Sequence, residues 1–127
     1  MWPFRRRTEP RIDTVRLGEM SSNAVDYPVL TVGQSRLVES FAELNFTEST
    51  APLFTWARLV PITDPHMKTT ADVEITVSDL PVGYLRPPAL NTVIALIDEH
   101  RAASLEVPIV MMWTPAGPEV RVHHVVG

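Results

Sequence analysis

Cysteine is absent from the 127 residues, which removes disulfides, thiolate nucleophiles and cysteine-ligated metals together. Glycine is scarce at five residues, and Gly33, the one that follows a strand-like run, lies in no phosphate-binding fingerprint. Long apolar runs are missing too. The longest, VPIVMMW at 107–113, falls far short of the ~18 residues that a membrane-spanning helix needs. The basic opening MWPFRRRTEP is not followed by an apolar stretch of roughly 7–15 residues, so no secretory signal is expected. No internal repeat is visible. These absences place the chain in the cytoplasm as an expectation, or in a virion if it is an assembly component.

What is present is ordinary for a globular domain: 45% hydrophobic and 20% charged residues, in a length that suits one core rather than two. The net charge of −4 hides an asymmetry. Arg5, Arg6, Arg7 and Arg11 against Glu9 leave +3 in the first eleven residues, while the remainder carries 7 basic and 14 acidic side chains and stands at −7. So acidic a body is a poor platform for a polyanion, and only the arm is placed to touch phosphate or to remain a solvated tail.

Along the chain, residues 1–27 read as a basic arm and lead-in, and 28–127 as the folded domain. YPVLTVG gives a short buried strand stopped by Gly33, and SRLVESFAELN gives a helix with Leu37, Val38, Phe41 and Leu44 on one stripe and Ser35 as N-cap. In LFTWARLV, alternation puts Phe54, Trp56, Arg58 and Val60 on one face and Leu53, Ala57 and Leu59 on the other. The residues PITDPHMKTT are expected as a loop of about ten, long enough to suggest function. ADVEITV is the cleanest strand: Val73, Ile75 and Val77 point one way, Asp72, Glu74 and Thr76 the other. Ser78-Asp79 turn it back into Val82–Leu85, which Pro87 and Pro88 must end because they donate no ladder hydrogen bond. A helix to about His100 follows, with Leu90, Val93, Ile94 and Ile97 on its stripe and Asp98 and Glu99 turned outward. LEVPIVMMW and EVRVHHVV flank TPAGP as a terminal hairpin. The expected class is mainly β with two helices, a small, partly open antiparallel β-barrel.

Taken in order, these pieces resemble a HIRAN domain, a small β-barrel module of SWI/SNF-type DNA repair ATPases that also occurs alone. The resemblance rests on TVGQSRL at 31–37, on Ala57–Leu59, on Asp64-Pro65, and above all on ADVEITVSDLPVGYL, and it covers roughly residues 28–126. It implies a non-catalytic module that binds single-stranded DNA or DNA ends, with Arg36, Asp64, His66, Lys68 and Arg86 around the ligand groove. Known members use aromatic residues just after the valine-glycine and an asparagine-proline-tyrosine-aspartate loop. Here those positions hold Gln34, Ser35, Arg36 and Leu37, and Asp64, Pro65, His66 and Met67.

Other constellations have plainer readings. His123 and His124, adjacent in a strand, should face opposite ways and share no metal. No serine or threonine has a histidine and carboxylate beside it in pattern, so neither enzymatic activity nor a metal or other cofactor is expected. Trp56 and Trp113 read as core or interface residues. The competing function is a structural or assembly protein. In that reading the barrel makes protein contacts, through the outward-looking apolar hairpin VPIVMMW among others, and the basic arm acts as a tether.

Overall fold

ADVEITV folds as its alternation demands. Val73 and Ile75 are fully buried and Val77 packs partly buried against the same core, while Asp72, Glu74 and Thr76 keep partial access to solvent. The computed structural model describes residues 12–64, 66 and 69–127. Arg5, Arg6, Arg7, Arg11 and Lys68, and the side chain of Asp64, lie outside the described residues.

The described residues form seven strands and two α-helices: β1 (Ile12–Arg16), β2 (Val29–Leu30), α1 (Leu37–Glu43), β3 (Leu53–Asp64), β4 (Thr69–Val77), β5 (Leu80–Tyr84), α2 (Ala89–His100), β6 (Ala102–Thr114) and β7 (Gly117–Val122). The sheet runs β2-β7-β6-β3-β4-β5, with antiparallel pairing throughout that path. It curls into a small, partly open barrel of the class the sequence predicts. The curl ends where Val32 and Tyr84 exchange two backbone hydrogen bonds, Val32 N–H to the Tyr84 carbonyl at 3.0 Å and the reverse at 2.9 Å. A single bridge therefore joins the two ends of the sheet.

Several local expectations change. The ten-residue loop is not seen, because β3 continues to Asp64 and β4 starts at Thr69. Pro61 is tolerated inside β3 because the pairing with β6 has already stopped at Leu59↔Leu105. VPIVMMW does not look outward: it lies in β6, the central strand, and Val107, Ile109, Val110 and Met111 are buried. A continuous apolar run fits a strand covered on both faces. Pro108 sits at a gap on one edge of β6, where β1 pairs up to Glu106 and β7 only from Ile109.

The segment ahead of residue 28 also contributes structure. β1 pairs parallel to β6, from Ile12↔Ala102 to Arg16↔Glu106, and the Tyr27 ring is fully buried, its hydroxyl donating to the Ser21 carbonyl at 2.7 Å. Both the five-residue strand and the lone tyrosine lack a periodic signature.

The helices close the barrel. In α1, Leu37, Ser40 and Phe41 are buried, whereas Val38 is 51% exposed and leaves the expected stripe. Ser35 is not the cap: Gln34–Arg36 form a 3-10 turn and Arg36 takes the cap position without a side-chain hydrogen bond. The Ser40 hydroxyl instead donates to the Pro81 carbonyl and ties the helix to β5. In α2, Ala89, Val93 and Ile97 are buried and Leu90 and Leu96 lean on the core. Its start follows Pro87-Pro88 and its end is a left-handed Arg101, φ 52°.

Candidate binding surface at the barrel seam

The stretches TVG and VGYL meet at the closing bridge, and both need glycine there. Gly83 has a φ of 149°, and a Cβ on it would lie 3.1 Å from the Val32 carbonyl oxygen and 3.3 Å from the Thr31 side chain. It follows a β-bulge, since Ile75 pairs with Gly83 but Thr76 already pairs with Pro81, leaving Val82 as the extra residue. Gly33 has a φ of 100° and lies under the Tyr84 ring, where a Cβ would meet Cδ2 at 3.0 Å. These contacts fix the direction of Tyr84, Leu85 and Arg86 as they leave the sheet. Leu85 turns into the core and Arg86 out to solvent.

Arg36 and Arg86 both flank this seam, in different surroundings. Arg36 is exposed and close enough to act on Tyr84. The Tyr84 hydroxyl donates to Glu74 Oε2 at 3.1 Å. That hydrogen bond raises the tyrosine's pKa, as do burial and the charges of Glu74 and Asp72, against the opposing pull of Arg36. Arg36 thus shares its side of the seam with two carboxylates.

Arg86 stands at a groove of about 460 Å³ between residues 28–32 and 86–89, with Gly127 at its edge. Among the described residues no charged side chain but that of Arg86 lines it, and Pro28, Leu30, Pro87 and Pro88 make it largely apolar. The groove exists because β5 stops at Tyr84 and the two prolines lead the chain away from β2. Of the remaining expected site residues, Asp64 ends β3 and His66 is exposed in the β3–β4 turn, at the far tip of that hairpin from the Glu74↔Tyr84 pair. The seam does not gather His66 with Arg36 and Arg86.

The paired histidines behave differently from the expectation. His123 follows β7 and caps a 3-10 turn over His124–Val126, its Nδ1 accepting from the Val125 amide at 3.1 Å. The two rings stack with centroids 4.1 Å apart instead of facing opposite ways, because the chain has already left the strand. His123 is buried, and burial first, then the neighbouring His124, lowers its pKa, opposed by Asp26 and Glu19. Both rings line a pocket of about 350 Å³ with Glu19 and Asp26. Among the described residues no three histidine, aspartate or glutamate side chains are placed to hold a metal ion.

The tryptophans divide. Trp113 donates to the Phe46 carbonyl at 3.1 Å and packs edge-on against Phe41. Trp56 carries the Arg16 guanidinium at 4.1 Å from its ring centroid, and Arg16 is also bound to Glu106 at 2.7 Å. One face of the indole is therefore taken by a side chain of the protein itself. Nothing in the sequence pattern links Arg16 to Trp56 forty residues on. Among the described residues no helix is long and apolar enough to cross a membrane. Compared with known proteins, the chain matches no family model, no curated protein and no solved structure.

Proposed function

We propose that the chain is a non-catalytic binding module whose seat is the barrel seam, and that it seats a segment of another protein there. The observation that carries this reading is the groove beside Arg86: concave, lined by apolar side chains, and bounded by a free strand edge. Such a surface suits a polypeptide, whose backbone and apolar side chains it satisfies together. The two carboxylates beside Arg36 and the acidic body oppose a polyanion at the same place.

A second reading, a HIRAN-like module for single-stranded DNA or DNA ends, is favoured by the meeting of TVG and VGYL at the seam with an arginine on each side. A phosphate would then pair with Arg36 and Arg86. The two readings separate in one titration. The full chain and a variant with Arg5, Arg6, Arg7 and Arg11 replaced by glutamine are mixed at low salt with single-stranded, blunt and recessed DNA. The protein-binding reading predicts that the full chain binds all three alike through its arm and that the variant binds none. A variant that still prefers single strands, with affinity falling steeply as salt rises, establishes the DNA reading instead. Removing the whole segment before Tyr27 would be a poor substitute, since it would also delete β1 from the edge of β6.

A further inference from the structure

The groove has one wall made of backbone, and its direction follows from the pairing around it. Along an extended strand, alternate residues turn their amide and carbonyl to the same side. Val32 turns both to Tyr84, so Leu30 turns both the same way, into the groove. The other side of the strand agrees. His123 donates to the Pro108 carbonyl, which directs its amide to β6 and that of Val122 to β2. The Val29↔Val122 pair therefore carries the β2–β7 hydrogen bonds, and the Leu30↔Arg121 pair does not. Among the described residues no hydrogen bond reaches the Leu30 amide or carbonyl from across the groove. The facing segment cannot supply a donor for two residues, because Pro87 and Pro88 have no N–H. Leu30 itself is 62% exposed.

An unpaired strand edge beside an apolar trough takes an extended peptide by strand addition. Here the trough is closed at one end, where the Val32–Tyr84 bridge occupies the next position on the edge. A chain entering from the Pro28 and Pro88 end must therefore stop at the bridge. The exposed Arg86 stands on that path, two residues after Tyr84, and makes no ion pair with any described residue. A closed end with a free guanidinium beside it selects a chain that finishes in a carboxylate.

Resting on the protein-binding reading above, the geometry points to a free C-terminus as the occupant. A partner's last residues, apolar in side chain, add parallel to β2 on the Leu30 edge, and the terminal carboxylate pairs with Arg86. The direction follows from the charge: an N-terminal amine entering first would meet the guanidinium with like charge.

The test uses the full chain, isotope-labelled, with amide spectra recorded during three additions. The probes are the hexapeptide acetyl-Gly-Ser-Thr-Val-Ile-Val as the free acid, the same peptide as its carboxamide, and a short single-stranded oligothymidylate. The free acid should shift the amides of Leu30, Val32 and Arg86 saturably. The carboxamide should bind at least about tenfold more weakly, as should the free acid to Arg86→Gln, since a charge-assisted hydrogen bond is lost in each case. If the Arg86→Gln chain does not fold, comparing acid with carboxamide on the natural chain decides alone. Equal binding of acid and carboxamide at these amides overturns the carboxylate inference and leaves the protein-binding reading standing. Failure of both peptides removes both, and oligothymidylate shifting the same amides would then assign the seam to DNA. If these amides shift as the chain alone is concentrated, the groove belongs to a second copy, and the inference is overturned.

Discussion

At Gly83 the backbone and the space around it make the same demand. The φ of 149° belongs to a region that side chains rarely enter, and the Val32 carbonyl blocks the position of a Cβ. Gly83→Ala should cost about 1–3 kcal/mol, read as a fall in the denaturation midpoint. Gly117→Ala should cost less, because its φ of 124° is also unfavourable but nothing lies within 4 Å of the added carbon. An equal loss at the two sites would show that the seam contact is not the cause. A second residue-scale prediction concerns pH. Burial holds His123 below its ordinary 6.5, so the folded chain binds fewer protons here than the unfolded chain. The stabilisation this gives is complete above about pH 6.5 and is lost as pH falls through the lower, folded pKa. His123→Asn keeps an acceptor for the Val125 amide but cannot titrate. The denaturation midpoint of the variant should therefore decline less on acidification than that of the natural chain, and parallel curves would exclude His123 as the source. The cap could not be read from the sequence, since two adjacent histidines in an alternating run give no sign that the strand has ended before them. The special demand at Gly83 could be read, because a glycine four residues ahead of the double proline interrupts the strand-like run Val82–Leu85.

Elements with a clear period are the ones that sequence reading places correctly. The alternation of β4 and the stripe of α2 each set one face against the core, and a slip of one residue would have buried Asp72 and Glu74. Ile75→Ala should cost about 2–5 kcal/mol, as Ile75 is fully buried between β3 and β5. Ile62→Ala, near the turn of the β3–β4 hairpin and 41% exposed, should stay within about 0.5 kcal/mol. Chemical denaturation of the two variants checks the pair, and a large loss at Ile62 would mean that the hairpin end is covered. The elements missed share a different trait. β1 is short, pairs with a strand ninety residues away, and has no periodic partner in its own neighbourhood. The strand extensions at Pro61–Asp64 were masked by prolines, which end a strand only where the missing N–H would have been used. β6 looked like a surface hairpin because a continuous apolar run has no period to show that both its faces are covered.

For the whole molecule, the decisive feature is that six strands close through one bridge and then part. The residues at the seam were legible in part: TVG, VGYL and the double proline mark it in the sequence, and Arg36 and Arg86 do flank it. The groove was not, because it arises from the absence of pairing between β2 and the chain after Tyr84, which only the three-dimensional path reveals. The carboxylates near Arg36 were hidden for the same reason, since Glu74 meets Tyr84 only through the pairing of β4 with β5, and Asp72 lies two residues along the same strand. A binding seat at the seam therefore requires a definite state of three backbone amides. Native-state hydrogen exchange reads them directly, without any ligand. Val32 and Tyr84, bonded to each other, should exchange slowly, and Leu30, facing the groove, should exchange fast. Protection of Leu30 matching that of Val32 would mean that the strand edge is already covered, and Val32 and Tyr84 exchanging as fast as Leu30 would mean that the seam is not closed; either result contradicts a binding seat at this place.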